Sequence, residues 1–448
     1  MDHTRAASAS WRVPLGLTGM GVLLLCLLVG DLGVSMRERA ALPSALELLR
    51  RHAASDTTIS LLLSTVPAAF SMLLVPLLGY HSDRCRSRLG RRKPFLLVAA
   101  PVGGLAMLGL AASPDAARAL HAALGPASPG VHHGTLWLFC LCWVAFECAA
   151  VSALSLFNGL VNDLVPSQWL GRVFAAFRIV GLLAGITYQH WIFSLTDHHL
   201  REVLIGVGLC FCLPLLAMAL TVRESPLPAA APLEPAPRGL RLPFEHVLGC
   251  FRYRPYGWAV AAFVLASVTF SPFNTFYLHY AHASGLDKAT LGTLTAAGYA
   301  VSIGSAFAIG WLADRFGALR VSTVLMAAYC VVAAAGFAGV HDAASFQVFY
   351  FAHVVISGAW FTAASSMPMA LFPRASFVQF NSTKDLMVVF GAIFLSSLQG
   401  PVLDLSGHDY RFTLLAGAVF SALCVGCLMK LQSGPLAADI ATRQRCTG

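Results

Sequence analysis

Long apolar segments alternate with short polar segments along most of the chain. A membrane-spanning helix needs about 20 mostly apolar residues, and twelve segments meet this requirement. They cover residues 14–34, 58–80, 95–113, 135–158, 173–195, 202–222, 257–280, 290–312, 320–340, 346–371, 385–402 and 412–431. This pattern predicts an all-α membrane protein with twelve transmembrane helices.

One polar interruption, residues 223–255, is longer than the others and rich in Pro and Ala. It predicts a cytoplasmic linker between two pseudo-symmetric six-helix halves, residues 1–222 and 256–448. Transporters built from two such repeats bind their substrate near the middle of the membrane, between the repeats. We therefore expect a small solute to bind between the halves, and each single chain to form a complete, monomeric pathway.

The composition supports a membrane protein, with 57% hydrophobic residues, 11% charged residues and a mean hydropathy of +0.71. Most of the 30 Lys and Arg residues fall on one side if both termini are cytoplasmic, as the positive-inside rule requires. This asymmetry explains the net charge of +9 without a nucleic-acid partner. The short loops lead us to expect a bacterial inner membrane.

The sequence has no motif that is typical of an enzyme. It contains no phosphate-binding Gly loop followed by Lys-Ser or Lys-Thr, no nucleophile elbow and no His-Glu-x-x-His motif. Cys424 and Cys427 have metal-site spacing, but they lie inside an apolar segment. We expect no cofactor or metal, and we expect accumulation of a solute to depend on an ion gradient.

A glycine that lies four residues before an Asp-Arg pair occurs at the end of two apolar segments. The first copy is Gly79 with Asp83-Arg84, and the second is Gly310 with Asp314-Arg315. A glycine permits close helix approach while the charges meet at the membrane edge, so the pattern suits a gate between helices. A basic loop that contacts lipid headgroups is the alternative for the first copy alone.

These loops resemble the signature of the major facilitator superfamily, and the resemblance covers nearly the whole chain. The segment Ser82–Phe95 is similar to the loop after the second helix in glycoside-pentoside-hexuronide transporters and sucrose/proton symporters. The segments Asn162–Pro166 and Gly171-Arg172 also resemble theirs. The resemblance implies cotransport of a disaccharide or glycoside with a proton or, in some lineages, sodium.

The same resemblance implies a gating role for ten residues. They are Gly79, Asp83, Arg84, Arg88, Gly90, Arg91, Arg92, Gly310, Asp314 and Arg315. The second copy lacks the Gly-Arg-Arg continuation, so its gate should have fewer ionic contacts.

Ionisable residues at membrane depth are costly and are usually functional or paired. Glu147 lies near the middle of the fourth segment, and helical spacing places Asn158 and Asn162 on its side of the helix. On the fifth segment Arg178 and Gln189 share a face. We expect Arg178 to meet Glu147 or Asp163 and to couple transport to protonation, with a static pair between two helices as the alternative.

Polar and aromatic side chains in other segments are candidates for sugar binding. Ser271, Asn274 and Tyr277 recur at helical spacing in the seventh segment, and interhelical hydrogen bonding is the alternative role. Trp360 and Phe361 in the tenth segment offer rings that stack on a sugar, and packing between helices is the alternative role. The predicted substrate-binding set is Asp31, Asn158, Asn162, Gln189, Ser271, Asn274, Tyr277 and Trp360.

The sequence thus predicts a secondary active transporter that imports a sugar or glycoside with protons. A major-facilitator exporter of drugs or metabolites is one alternative. A non-transporting membrane assembly factor on the same scaffold is another.

Overall fold

The structure is a computed structural model that describes residues 17–85, 87–165, 167–222, 248–372 and 377–433. Side chains at 17–19, 71, 73, 75–76, 79–80, 83–84, 167–172 and 377–379 are outside this description. The described residues form helices and no strand, as the apolar pattern predicts.

Six transmembrane segments form the N-terminal half, and three of them contain a π-helical turn. The first comprises α1 (Leu17–Met36), the turn Arg37–Ala41 and α2 (Leu42–Arg51), and the second comprises α3 (Asp56–Ser60), the turn Leu61–Thr65 and α4 (Val66–Arg84). The other segments are α5 (Lys93–Leu124), α6 (Val131–Leu164), α7 (Ser167–Thr187) with the turn Tyr188–Ile192, and α8 (Thr196–Thr221).

The C-terminal half contributes six more segments. They are α9 (Arg254–Ala283), α10 (Lys288–Phe316), α11 (Ala318–Gly339), α12 (Ala343–Ala364) with the short α13 (Met367–Leu371), α14 (Phe377–Leu405) and α15 (Arg411–Gln432). The predicted linker falls largely on residues 223–247, which lie outside the described residues.

Ten helical stretches among the described residues are long and apolar enough to cross a membrane. One of them, Val173–Thr221, contains most of α7 and all of α8. The segment Asp56–Arg84 completes the twelve. The predicted first span was too short, because the helix continues past residue 34 to Arg51 and buries Ala45, Leu46 and Leu49.

The buried apolar residues form two clusters that divide the molecule unequally. The larger cluster joins α1–α3 and α5–α8 to one end of the C-terminal half, through residues such as Phe276 and Leu403. The smaller cluster contains only residues of the C-terminal half, between Cys250 and Leu431. Among the residues that the structure describes, the two halves therefore share a buried apolar core at one end.

The two ends are named here by the predicted orientation. The outer end carries residues 52–56, 284–287 and 406–410, and the inner end carries residues 85–92 and Gly317. The shared core lies toward the outer end, because Phe276, Leu403 and Tyr410 belong to it.

Candidate functional site

A cavity of about 820 Å³ lies between the two halves. This volume is in the range of small-molecule sites. Both halves contribute to its wall, and six residues of the predicted site line it: Glu147, Arg178, Gln189, Ser271, Asn274 and Tyr277. The sequence therefore predicted the location of the cavity and much of its polar lining.

Glu147 is a buried carboxylate in the wall of this cavity, with 2% of its surface exposed. Its partner is Arg37, whose Nε and Nη2 donate to the carboxylate at 3.0 and 2.7 Å. The prediction that Arg178 pairs with Glu147 was wrong. Arg37 reaches Glu147 because the π-helical turn Arg37–Ala41 continues the first helix into the cavity instead of ending it.

Arg178 lines the cavity but pairs with neutral groups. Its Nη2 donates to Thr362 Oγ1 at 2.7 Å and to the carbonyl oxygen of Gly358 at 3.4 Å. Its Nε is buried without a hydrogen-bond partner among the described residues. The other predicted partner, Asp163, instead binds Arg91 and Arg92 at the inner end.

Arg39 provides a third guanidinium in the cavity wall. It lies over the ring of Tyr299, 5.0 Å from the centroid, and so connects the first segment to α10. Asp31 is one candidate counter-charge, but this carboxylate is buried, its Oδ2 has no hydrogen-bond partner among the described residues, and it does not line the cavity.

The wall formed by α9 is polar and hydrogen-bonded to α12. Asn274 Oδ1 lies 2.9 Å from His353 Nε2, and His353 Nδ1 lies 2.9 Å from the Tyr329 hydroxyl. If Nε2 donates to Asn274, then Nδ1 accepts from Tyr329. This arrangement leaves the amide nitrogen of Asn274 for a ligand, beside the hydroxyl of Ser271.

Aromatic rings line the outer part of the cavity. Tyr277 stacks on Tyr350 with centroids 5.9 Å apart, and the Tyr350 hydroxyl lies 2.6 Å from Thr295 Oγ1. Gln189 is buried nearby, and its Oε1 has no partner among the described residues. Rings beside amide and hydroxyl groups form a surface that suits a sugar.

Four predicted substrate-binding residues do not line the cavity. Besides Asp31, Asn158 and Asn162 lie 11 and 15 residues beyond Glu147, toward the inner end of α6, which is about 16 and 22 Å along the axis. Trp360 is buried against Phe270, with centroids 5.8 Å apart. Its neighbour Phe361 lines the cavity instead.

The basic gating residues of the first copy contact their own half. Arg91 and Arg92 bind Asp163 at the end of α6, with Arg92 Nε at 2.7 Å from Asp163 Oδ2. Gly90 adopts a φ of +108°, which a glycine allows, and its N–H closes a turn by donating to Ser87 O. Arg88 is exposed. The side chains of Asp83 and Arg84, together with Gly79, are outside the described residues.

The second copy is open to its surroundings in this conformation. A Cβ added at Gly310 would meet nothing within 4 Å. Asp314 and Arg315 are exposed, and Arg315 packs over Trp311 and Phe316 of its own helix. No described residue therefore makes the predicted close helix approach at Gly310.

At the outer end, a cluster of Asp56, Asp404, His408 and Tyr410 joins the two halves; we call it the outer cluster. Asp404 accepts hydrogen bonds from the backbone N–H groups of Asp56 and Thr57 at 2.9 and 3.0 Å. His408 and Tyr410 lie 2.7 and 3.2 Å from the Asp56 carboxylate. The hydrogen bond to Asp56 raises the pKa of His408.

The outer cluster brings three potential metal ligands within 4.8 Å of one another. Each carboxylate oxygen of Asp56 and Asp404 already faces a donor from the protein. The hydrogen bonds between the halves therefore account for this arrangement.

A second ionic contact supports the outer end. Lys288 Nζ of α10 lies 2.8 Å from Glu47 and 2.6 Å from Asp197, both in the N-terminal half. Beside it, a Cβ on Gly292 would lie 2.1 Å from the backbone oxygen of Gln189. The halves thus approach each other here as closely as a glycine allows.

Sequence reasoning missed Arg37, Arg39, Tyr299 and His353. The apolar pattern ends the predicted first span at residue 34, so it places the charged stretch that follows, with both arginines, outside the membrane. For Arg39 the sequence offered a signal, since Asp31, Ser35 and Arg39 follow one another at four-residue intervals. His353 and Tyr299 are single polar residues in apolar helices, and the sequence does not distinguish them from helix-packing residues.

The chain matches known transporters in sequence family and in fold. The family described as MFS/sugar transport protein matches residues 55–377. The nucleoside transporter NupG is 15% identical, with a TM-score of 0.68 over 92% of this chain and 99% of that one. An inward-facing bacterial homologue of the human lysosomal transporter Spinster is 15% identical, with a TM-score of 0.64 over 92% of this chain and 96% of that one.

A bacterial homologue of the iron transporter ferroportin is 17% identical, with a TM-score of 0.59 over 92% of this chain and 100% of that one. At these identities the likeness shows the major facilitator fold, and the family match covers most of the chain. The protein is therefore a multi-pass membrane transporter and not an enzyme, and it belongs to the major facilitator family of MFS/sugar transport proteins.

Proposed function

We propose that this transporter is a proton-coupled symporter of a disaccharide or glycoside that works by alternating access. The observation that carries the proposal is Glu147, a buried carboxylate in the wall of a solute-sized cavity, whose hydrogen-bond partner among the described residues is Arg37. Such a group is costly in a membrane protein unless it is paired or functional.

When the Glu147 carboxylate takes up a proton, it loses its ion pair with Arg37. Arg37 neutralises the carboxylate while it is ionised. Protonation removes the attraction and frees Arg37, which is 27% exposed, to move within the cavity. We assign coupling to Glu147 with Arg37 as its partner, and we retain Arg178 as a cavity cation that responds to the substrate.

The opposite wall supports sugar recognition. Ser271 and Asn274 present hydroxyl and amide groups, and Tyr277 and Phe361 present rings. A sugar needs many donors and acceptors together with an apolar ring face, and no buried charge. The volume of about 820 Å³ accommodates a disaccharide.

Alternating access is supported by the unequal contacts between the halves. The outer cluster, Lys288 and Gly292 join the halves at the outer end. Asp314 and Arg315 are exposed at the inner end. We propose that this conformation opens toward the cytoplasm, with both termini on that side of a bacterial inner membrane and one chain as the working unit.

The test is uptake into proteoliposomes that contain the purified protein. Radiolabelled sucrose and maltose are supplied first, under an imposed inward proton gradient with and without an uncoupler, and in parallel under a sodium gradient. We expect accumulation that the uncoupler abolishes. Accumulation driven by sodium alone would contradict proton coupling, and no uptake of any sugar would contradict the sugar assignment.

A further inference from the structure

Three histidine side chains lie close together on the outer surface of the N-terminal half. His52 directly follows α2, and His132 and His133 lie in the first turn of α6. The ring centroids are 6.5 Å apart for His52 and His132, and 5.4 Å apart for His132 and His133. Because the positions 52, 132 and 133 form no sequence motif, the sequence alone predicts no metal here.

The nitrogen atoms of these three rings are available to a ligand. None of the rings has a hydrogen-bond or ion-pair partner among the described residues. His132 and His133 are exposed and His52 is partly buried, so an ion can reach them from the solvent. Neutral imidazole is the commonest protein ligand of metal ions, and it suits zinc, copper and nickel.

The separations of the rings fit one shared metal ion. Zinc lies about 2.0–2.1 Å from a coordinating imidazole nitrogen, and therefore about 3.2 Å from the ring centroid. Two rings on one ion then have centroids about 5.2 Å apart at a tetrahedral angle. The separation of His132 and His133 already meets this value. His52 has to approach by about 1 Å, which a change of side-chain rotamer provides.

We propose that His52, His132 and His133 bind one divalent transition-metal ion of the zinc, copper or nickel type, with water as a further ligand. Three protein ligands and one water are a common arrangement around zinc. The partial positive charge at the start of α6 opposes a cation, but solvent and salt screen it at this exposed position.

A bound ion would fasten the end of α2 to the start of α6. The same α2 carries Glu47, which lies 2.8 Å from Lys288 of the C-terminal half. The metal site therefore supports the helix that makes this contact between the halves.

The test is isothermal titration of zinc chloride into the purified full-length protein, made without a polyhistidine tag and first freed of metal with a chelator. We expect one zinc ion per chain with micromolar or tighter affinity. Magnesium should not bind at this site, because it requires oxygen ligands. Hydrogen–deuterium exchange around residues 48–54 should slow when zinc is added.

Three variants and a control make the assignment specific. His52→Gln, His132→Gln and His133→Gln should each weaken zinc binding about tenfold or more, since even partners outside the coordination shell change metal affinity about 10–100-fold. His198→Gln is the matched control and should bind zinc as the wild type does. His198 and His199 are also adjacent and exposed at the outer end, without a third histidine ring packed on them among the described residues.

The thermal stability of each variant without zinc should equal that of the wild type, because the rings have no partner to lose. Absence of zinc binding to the wild type would overturn the inference, and so would unchanged affinity in His52→Gln. Equal weakening in His198→Gln would also overturn it, since zinc would then collect on exposed histidines in general. None of these results depends on the transported solute, so sugar transport is tested separately.

Discussion

The two ends of the helical bundle use their charged residues differently. At the outer end, Asp404 and Lys288 of the C-terminal half bind groups of the N-terminal half. At the inner end, Arg91 and Arg92 bind Asp163, which belongs to the same half. Among the residues that the structure describes, ion pairs between the halves lie at the outer end only.

This difference separates two functions that a charged motif can have. The basic loop at residues 87–92 stabilises the inner end of α5 and α6 within one half. The outer contacts hold the halves together and must break if the outer end is to open. The glycines show the same difference between the ends. A Cβ added at Gly292 would clash with the backbone oxygen of Gln189, whereas a Cβ added at Gly310 would meet no described atom within 4 Å.

The largest expected effect comes from adding a methyl group at the close contact. In Gly292→Ala the new Cβ would lie 2.1 Å from the Gln189 carbonyl oxygen, so the outer contact must separate. Overpacking of this kind costs about 1–3 kcal/mol. Hydrogen–deuterium exchange should show faster exchange around residues 188–192 and 288–295.

Gly304→Ala is the matched control on the same helix, because a Cβ there meets nothing within 4 Å. Gly310→Ala should likewise leave the outer end unchanged, for the same reason. Equal acceleration of outer-end exchange in all three variants would remove the distinction between the two ends.

The next effect concerns the outer cluster. Asp404→Ala removes the acceptor for the N–H groups of Asp56 and Thr57. Hydrogen bonds to a charged group contribute about 1.5–3 kcal/mol, but Asp404 is partly exposed and water can replace it as an acceptor, so the outer end should loosen less than in Gly292→Ala. Exchange of the amides at 56 and 57 should rise well above the wild-type rate, and unchanged protection there would show that the contact does not hold the halves together.

Protonation of His408 should have a smaller effect on hydrogen exchange at the outer end. Its hydrogen bond to the Asp56 carboxylate raises its pKa above the ordinary value of 6.5. The protonated form stabilises the joined outer end, and this contribution is complete below pH 6.5 and is lost as the pH rises through the raised pKa. Outer-end exchange, corrected for the intrinsic pH dependence of amide exchange, should therefore increase with pH in that range.

His408→Asn should remove most of this pH dependence. Asp56, Asp404 and Tyr410 surround the ring, and Tyr410 remains as a donor to Asp56 in the variant. A pH profile identical to that of the wild type would mean that another group titrates.

The smallest effect is expected at the inner end. Asp163→Asn weakens the contacts with Arg91 and Arg92, which are all partly exposed. Such pairs contribute about 1 kcal/mol or less, so thermal stability should fall slightly. Exchange at the outer end should stay at the wild-type rate, since these contacts do not cross between the halves, and faster exchange there would argue for coupling of the two ends by this loop.

The sequence was sufficient to predict the helices and to single out Glu147 as a buried acid. It was not sufficient to predict which side chain pairs with Glu147. Twelve apolar segments identify the fold because the membrane requires long apolar helices. A lone acid in such a segment is conspicuous. Its partner depends on how the helices meet, and the π-helical turn that carries Arg37 into the cavity has no hydropathy signal.

Side-chain direction was the second source of error. Trp360 and Phe361 are adjacent, and only the packing of Trp360 on Phe270 decides which of them faces the cavity. Asn158 and Asn162 lie roughly on the side of Glu147, yet depth along α6 separates them from the cavity. Periodicity predicts a face of a helix but does not predict which part of that face a ligand reaches.

The most direct test of the central claim follows protons and sugar together. Proteoliposomes that trap a pH-sensitive dye receive sucrose or maltose outside, with no imposed gradient. Downhill sugar entry should acidify the lumen in the wild type and in the exposed control Glu202→Gln. In Glu147→Gln, sugar should enter without acidification. Acidification that persists in Glu147→Gln, or wild-type sugar entry without any proton movement, would contradict coupling at Glu147.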